Sequence, residues 1–180
     1  LANKIDEIRQ TISLMDEKQL NTILDHIKQA GVVQFVAVGN TIPVALDGCF
    51  KFNEIGIRAV AGTIWETQLA FSLSLGRDDM MIAISNSGES RQVVKMVREA
   101  KKRGVVTVGI TNNPNSTVAN SADYHIQTAT REKLFLNEIC FSRVSAMTVM
   151  EVLYLFLTVG EKRSYDCINY CENLIADEKF

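Results

Sequence analysis

Apolar positions at the start of the chain follow a helical period. In the first fifteen residues they recur every three to four positions, at Ile5, Ile8 and Ile12, which predicts an amphipathic helix. Asp16, followed three residues later by Gln19, is typical of the capped start of a second helix. That helix is expected to end near Gly31 and to bury Leu20, Ile23, Leu24 and Ile27.

From residue 32 onward, apolar runs alternate with amphipathic segments. The apolar runs predict five strands, over 32–38, 57–61, 80–84, 105–110 and 124–127. The other segments predict helices, over 41–55, 66–75, 90–103, 117–121 and 137–159. Continuous apolar strands that alternate with helices indicate a parallel sheet covered on both faces. We therefore predict an α/β fold: a three-layer αβα sandwich with flavodoxin-like strand order 2-1-3-4-5, preceded by a helical lead-in.

Length, charge and hydropathy narrow the class of protein. The 180 residues suit a single globular domain, with a lead-in over 1–30 and the main body over 31–180. The 19 basic and 21 acidic residues give a net charge of −2, so this segment alone is not expected to bind nucleic acid. No apolar run approaches the roughly 20 residues of a membrane span. The chain begins with leucine rather than methionine, so we expect a fragment of a longer, cytoplasmic protein.

Cysteine and histidine spacing does not favour a metal site. The cysteines are Cys49, Cys140, Cys167 and Cys171, and none forms a CxxC pair. Cys167 and Cys171 lie four residues apart on a predicted helix, but small thiols in a reducing compartment explain them better than half of a metal site. The sequence predicts neither a metal nor a cofactor.

Small polar residues cluster where the third predicted strand ends. Residues 85–90 read SNSGES, and they separate that strand from the following helix. In the predicted strand order, this loop and the Gly39–Asn40–Thr41 loop after the first strand face one crevice. A helix N-terminus offers unpaired N–H groups to an anion, serine hydroxyls donate to phosphate oxygens, and Gly88 would let the backbone come close. The predicted ligand-binding residues are Gly39, Asn40, Thr41, Ser85, Asn86, Ser87, Gly88 and Ser90.

Simpler explanations of the serine loop stay open. Serine is a favoured helix N-cap, so we expect one of these serines to cap the following helix. A cap accounts for one serine, whereas the loop holds three serines and a glycine. Neither the GxxxxGK pattern of nucleotide triphosphate sites nor the GxGxxG pattern of dinucleotide sites is present. The pattern therefore favours a single phosphate with a small polar body attached.

Three motifs together resemble the SIS (sugar isomerase) phosphosugar-binding domain. They are S-x-S-G-x-[ST] after the third strand, G-x-[ST] after the first, and ITN followed by Ser116 and Ala119 after the fourth. The resemblance extends over about residues 19–159. It implies a five-stranded parallel sheet and a phosphate gripped by Ser85, Ser87 and Ser90. It also places Asn40 and Thr41 near phosphate and sugar, although the first loop departs from the common G-x-[GA]-x-S form.

Within that family, the chain looks most like the effector-binding half of RpiR-type transcription regulators. The similarity lies in the lead-in helices and in FSRVS, residues 141–145, at the start of the last long helix. It implies a sugar phosphate sensor whose helix-turn-helix domain is absent from this chain. The last long helix is apolar on more than one face, at Met147, Val149, Met150, Val152, Leu153, Leu155, Phe156 and Leu157. Together with the resemblance, that pattern predicts a homodimer.

An aldose–ketose isomerase is the alternative function. Such an enzyme needs a base that moves a proton between adjacent carbons. The carboxylates expected near the crevice are Glu89, Glu132 and Glu138, and Glu138 is the best candidate base, although dipole compensation explains it equally well. The remaining candidates have ordinary structural explanations: a strand residue, a loop residue and a surface residue, at His125, Lys133 and His26. No base–acid pair emerges, so a sensor is favoured over an enzyme.

Overall fold

The protein forms a five-stranded parallel sheet with helices on both faces. The computed structural model describes residues 2–129 and 143–176. The strands are β1 Val33–Ala37, β2 Ala59–Ala61, β3 Met80–Ile84, β4 Val106–Thr111 and β5 Tyr124–Gln127. The helices are α1 Ala2–Ser13, α2 Glu17–Gln29, α3 Ile42–Glu54, α4 Trp65–Ser72, α5 Arg91–Lys102, α6 Thr117–Ser121, α7 Val144–Thr158 and α8 Lys162–Ala176. The order β2-β1-β3-β4-β5, with every neighbouring pair parallel, confirms the predicted topology.

Two hydrophobic layers sandwich the sheet, because successive side chains of each strand point to opposite faces. In β3, Met80, Ile82 and Ile84 pack with apolar residues of α2, α3 and α7. Met81 and Ala83 pack on the other face with residues of α5 and α6. All five β3 residues are buried, which explains why this strand appears in the sequence as an unbroken apolar run.

The lead-in helices attach to this body in different ways. The second begins as predicted, with the Asp16 carboxylate accepting a hydrogen bond from the Gln19 N–H at 2.7 Å, and all four predicted apolar residues are buried. The first turns its isoleucine stripe outward, since Ile5 is 46% exposed and Ile12 49% exposed. Its fully buried side chains are instead polar, Glu7 and Thr11.

The helix predicted over residues 137–159 is observed as α7 over its described part. Residues 130–142 lie outside the described residues, so the predicted helix start at residue 137 and the candidate base Glu138 cannot be placed. Helix α7 is followed by α8, which contains Cys167 and Cys171 and so confirms the helix predicted for these two cysteines. In the described part of the chain, no single helix has the length and apolar character of a membrane span; α7 and α8 reach them only when taken together across a 109° bend.

Candidate functional site

A cleft of about 540 Å³ lies beyond the carboxyl ends of β1, β3 and β4. Six of the predicted ligand-binding residues line it: Asn40, Thr41, Ser85, Asn86, Ser87 and Ser90. Gly39 and Gly88 belong to the same two loops but do not line the cleft. The lining also includes residues that the sequence did not single out as ligands: Asn112, Asn113, Thr128, Arg143 and Ala146. The structure therefore brings both predicted loops to one crevice, where ligands bind in doubly wound sheets.

The serine hydroxyls of the cleft are mostly unengaged. Ser85 is only 5% exposed, yet its hydroxyl forms no hydrogen bond with any described residue. Ser90 is the N-cap residue of α5, but its side chain makes no capping bond. Ser87 Oγ accepts one weak bond, from the Glu89 N–H at 3.3 Å. We expected one of these serines to cap α5. Ser90 stands at the N-cap position, but its side chain does not make the capping bond.

The start of α5 is consequently suited to an anion. The first N–H groups of a helix lack partners within the helix, and the helix dipole adds a partial positive charge. No side chain among the described residues caps α5, although serine stands at the capping position. An anion in the cleft would accept hydrogen bonds from these N–H groups and from the hydroxyls of Ser85 and Ser90.

Gly88 shapes the loop for a steric reason that the sequence did not indicate. Its φ is +71°, and a Cβ there would lie 2.1 Å from Ser116 Oγ and 2.4 Å from Ser116 Cβ. The Gly88 carbonyl also accepts a bond from the Val118 N–H at 3.0 Å. The glycine thus allows the serine loop to pack on the start of α6, and its approach to a ligand stays a prediction.

Glu89 lines the cleft, and its carboxylate is held by Thr117. Its carboxylate accepts hydrogen bonds from the Thr117 hydroxyl at 2.6 Å and from the Thr117 N–H at 2.9 Å. These bonds hold the pKa of the Glu89 carboxyl below its usual value, and the bond from the Thr117 hydroxyl contributes most. The residue precedes α5, and its carboxylate binds the start of α6.

Thr41 ties the two loops together. Its hydroxyl directs its proton between two backbone carbonyls, Val38 O and Ile84 O, both 3.1 Å away. These carbonyls belong to the ends of β1 and β3. The Thr41 hydroxyl was predicted to lie near the phosphate. In the structure it links the ends of the two strands on which the cleft is built.

A buried glutamine pair, which the sequence analysis missed, holds the end of β1. Gln68 of α4 accepts from the Ala37 N–H at 3.0 Å and donates to the Ala37 carbonyl at 2.9 Å. Strand β2 pairs only with Val33, Gln34 and Phe35, so Gln68 replaces the missing strand beside Ala37. Gln34 donates to the Gln68 carbonyl at 2.7 Å. A polar residue inside the apolar run 32–38 was the available signal.

His125 has a structural environment, in agreement with its interpretation as a satisfied strand residue. Its Nε2 lies 2.9 Å from Thr111 Oγ1, and its backbone exchanges hydrogen bonds with the Gln19 side chain. Burial lowers the pKa of the imidazole. His125 is not among the residues that line the cleft. His26, expected at the surface, is half-buried against Tyr124, with 3.1 Å between Nε2 and the phenol oxygen.

The fold and the cleft place this chain in a known family. The model of the SIS domain family matches residues 26–156. The chain belongs to the SIS domain family, as its three motifs predicted. The matched range contains all five strands and both loops of the cleft.

The relatives of the chain are transcription regulators. An uncharacterized HTH-type transcriptional regulator of Caldanaerobacter subterraneus is 28% identical over 166 residues, which is 92% of this chain. Another from Bacillus subtilis, YbbH, is 33% identical over 85% of this chain. The chain spans 58% and 54% of the lengths of these relatives.

Solved structures with the same fold include regulators and a proposed isomerase. The sugar isomerase domain of an RpiR transcription factor from Sphaerobacter thermophilus has a TM-score of 0.86 and 26% identity, covering 96% of this chain and 95% of that one. The Vibrio vulnificus NanR protein, solved with ManNAc-6P, has a TM-score of 0.90 and 21% identity, covering 98% and 67%. A Methanococcus jannaschii protein for which a 3-hexulose-6-phosphate isomerase function was inferred has a TM-score of 0.62 and 18% identity, covering 93% and 90%.

Proposed function

We propose that this chain is the phosphosugar-binding sensor domain of an HTH-type transcription regulator. The observation that carries the proposal is the uncapped start of α5, which faces the cleft together with the unengaged hydroxyls of Ser85 and Ser90. A buried hydroxyl without a partner is costly unless a ligand completes it. The phosphate group sits against residues 85–90, while Asn40 and Asn86 approach the sugar. Gly39, Thr41 and Gly88 shape the two loops.

The regulatory role rests on the relatives. They are HTH-type transcription regulators, and this chain corresponds to little more than half of their length. The DNA-binding function therefore belongs to a part of the protein that this chain does not include. Sugar phosphate binding would change the affinity of that part for DNA by favouring one arrangement of the protein.

The proposed assembly is a cytoplasmic homodimer. Three large apolar side chains at the end of α7 are more than half exposed, namely Leu155, Phe156 and Val159. A helix with apolar residues on its outer face gains free energy by packing against a partner. Two-fold symmetry would also match paired half-sites on DNA.

An isomerase is the second candidate, because a structural neighbour has that inferred function. The carboxylate among the described residues that line the cleft is Glu89, and Thr117 engages both of its oxygens. A general base must reach the substrate proton. Glu138 is the candidate base for this alternative, and it lies outside the described residues. The described lining therefore favours binding without turnover.

The test is calorimetric titration with a panel of sugar phosphates against wild type, Ser85→Ala and Ser90→Ala. Each substitution removes one protein hydroxyl that donates a hydrogen bond to the phosphate. We therefore expect affinity for the tightest ligand to fall about tenfold. Ser74→Ala is the matched control, since its hydroxyl bonds the Phe71 carbonyl on an exposed turn away from the cleft.

Two results would count against the proposal. If no phosphosugar binds wild type, or if Ser74→Ala weakens binding as much as the cleft variants, the serine loop is not the phosphate site. Incubation of the tightest ligand, followed by chromatographic analysis for its isomer, separates sensor from enzyme. The sensor account predicts an unchanged sugar phosphate.

A further inference from the structure

Arg143 places a positive charge on the wall of the cleft formed by the start of α7. The residue immediately precedes α7, and Ala146, in the first turn of that helix, lines the same cleft. The guanidinium forms neither an ion pair nor a side-chain hydrogen bond within residues 2–129 and 143–176. Arg143 belongs to FSRVS, one of the features that the chain shares with RpiR-type regulators. The phosphate proposed at the serine loop does not by itself account for an arginine at this position.

The charge of Arg143 has no ion-pair partner in the described cleft. Apart from Arg143 and Glu89, the described lining residues are uncharged: asparagine, serine, threonine and apolar side chains. The Glu89 carboxylate also lines the cleft, but it accepts two hydrogen bonds from Thr117 and forms no ion pair with Arg143. An unpaired guanidinium in a cleft favours a ligand with an anionic group within its reach.

The start of α7 is fixed in place, so this cation is presented by a defined element. Ser145, the second residue of α7, is buried, and its hydroxyl donates to the Ala129 carbonyl. The Ala129 N–H in turn donates to Thr11 Oγ1 at 3.0 Å, and the neighbouring Thr128 lines the cleft. Arg143 therefore belongs to a different wall from the start of α5, where the phosphate is proposed to sit.

We infer that the ligand is an acidic phosphosugar, which carries a carboxylate in addition to its phosphate, and that Arg143 binds this carboxylate. The inference rests on the proposed function and specifies the ligand class of the same cleft. Arginine suits a carboxylate because its planar fork donates two parallel hydrogen bonds. A cleft of about 540 Å³ lies within the range of small-molecule sites and accommodates such a ligand.

The experiment compares pairs of phosphosugars that differ only by a carboxylate. Gluconate 6-phosphate is paired with glucitol 6-phosphate, and arabinonate 5-phosphate with arabinitol 5-phosphate. Binding is measured by calorimetry for wild type, Arg143→Gln, Arg143→Lys and the control Arg98→Gln, an exposed arginine on α5 that does not line the cleft. We expect wild type to bind the acidic member of at least one pair about tenfold more tightly.

The variants identify which group Arg143 contacts. Arg143→Gln is expected to abolish the preference for the acidic member while changing the dissociation constant of the neutral member less than about threefold. Arg143→Lys restores part of the preference, and Arg98→Gln leaves it intact. An equal loss for both members in Arg143→Gln would assign the arginine to the phosphate and overturn the inference.

The inference and the proposed function fail in different ways. If wild type binds neutral phosphosugars at least as tightly as their acidic partners in every pair, the acidic ligand class is wrong and the sensor function stands. If no phosphosugar of either kind binds, the proposed function is wrong and the inference falls with it.

Discussion

The two glycines with positive φ in the cleft loops are required for different reasons. Gly39 has a φ of +60° and open space where a Cβ would lie, whereas Gly88 has a φ of +71° and Ser116 in that position. The adjacent Glu89 likewise depends on a residue far along the chain, Thr117. The sequence predicted that these loops meet at one crevice. The roles of Gly88 and Glu89 were not predictable, because their partners on α6 are about 28 residues away in sequence.

Alanine at each glycine separates backbone strain from steric overlap. Gly39→Ala is expected to lower the free energy of unfolding by about 1 to 2 kcal/mol, the cost of a left-handed backbone for an ordinary residue. Gly88→Ala adds the overlap with Ser116 to that strain, so we expect a clearly larger loss and weaker sugar phosphate binding. Urea denaturation and calorimetry measure both effects. Equal losses of stability in the two variants would show that the packing on Ser116 is not what requires Gly88.

Helix α4 supports the loop after β1 through one side chain, because Gln68 forms two hydrogen bonds with Ala37, the last residue of that strand. Replacement by leucine fills the same space but leaves the Ala37 N–H and carbonyl without these partners. We expect Gln68→Leu to cost about 2 to 6 kcal/mol of unfolding free energy, from two buried groups at about 1 to 3 kcal/mol each. Sugar phosphate affinity should also fall, because the Gly39–Thr41 loop follows directly.

The control for this element is Thr67→Ala. Thr67 is the exposed neighbour of Gln68 on α4, and we expect its replacement to change stability by less than about 0.5 kcal/mol. Chemical denaturation of both variants tests the account. A Gln68→Leu variant as stable as Thr67→Ala would mean that the end of β1 does not depend on α4.

At the scale of elements, hydrophobic patterning succeeded where burial is continuous and failed where contacts are polar. The strands and their order followed from unbroken apolar runs such as Met80–Ile84. The stripe of α1 predicted an amphipathic helix correctly but not its orientation, since Thr11 packs inward by bonding the Ala129 backbone. A helix that carries Cys167 and Cys171 was predicted correctly, but the bounds of α8 were not, because its exposed residues include Tyr165, Tyr170 and Leu174, which obscure a single apolar face.

The stability of the whole molecule should depend on pH through His125. Burial lowers the pKa of this imidazole below its ordinary value of 6.5 in the folded state. Above that value, both the folded and unfolded states hold it neutral, and stability is unaffected. As pH falls through 6.5, the unfolded state binds the proton first, so the free energy of unfolding decreases.

His125→Asn tests this dependence directly. The difference between wild-type and variant unfolding free energies, measured from pH 8 to pH 5, should shift against wild type as the solution becomes acidic. An NMR titration of the imidazole supplies the folded-state pKa. A difference that stays constant over this range, or an imidazole that titrates at or above 6.5, would contradict the account.

The central claim for the molecule is that a phosphate group binds at the start of α5. The most direct measurement is a pair of ¹H–¹⁵N NMR titrations, one with the tightest phosphosugar and one with the same sugar lacking phosphate. The account predicts that the phosphosugar produces its largest amide shifts at residues 87–91, and that the free sugar leaves those amides unchanged. Phosphosugar-induced shifts that avoid this segment, or equal shifts from the free sugar, would contradict it.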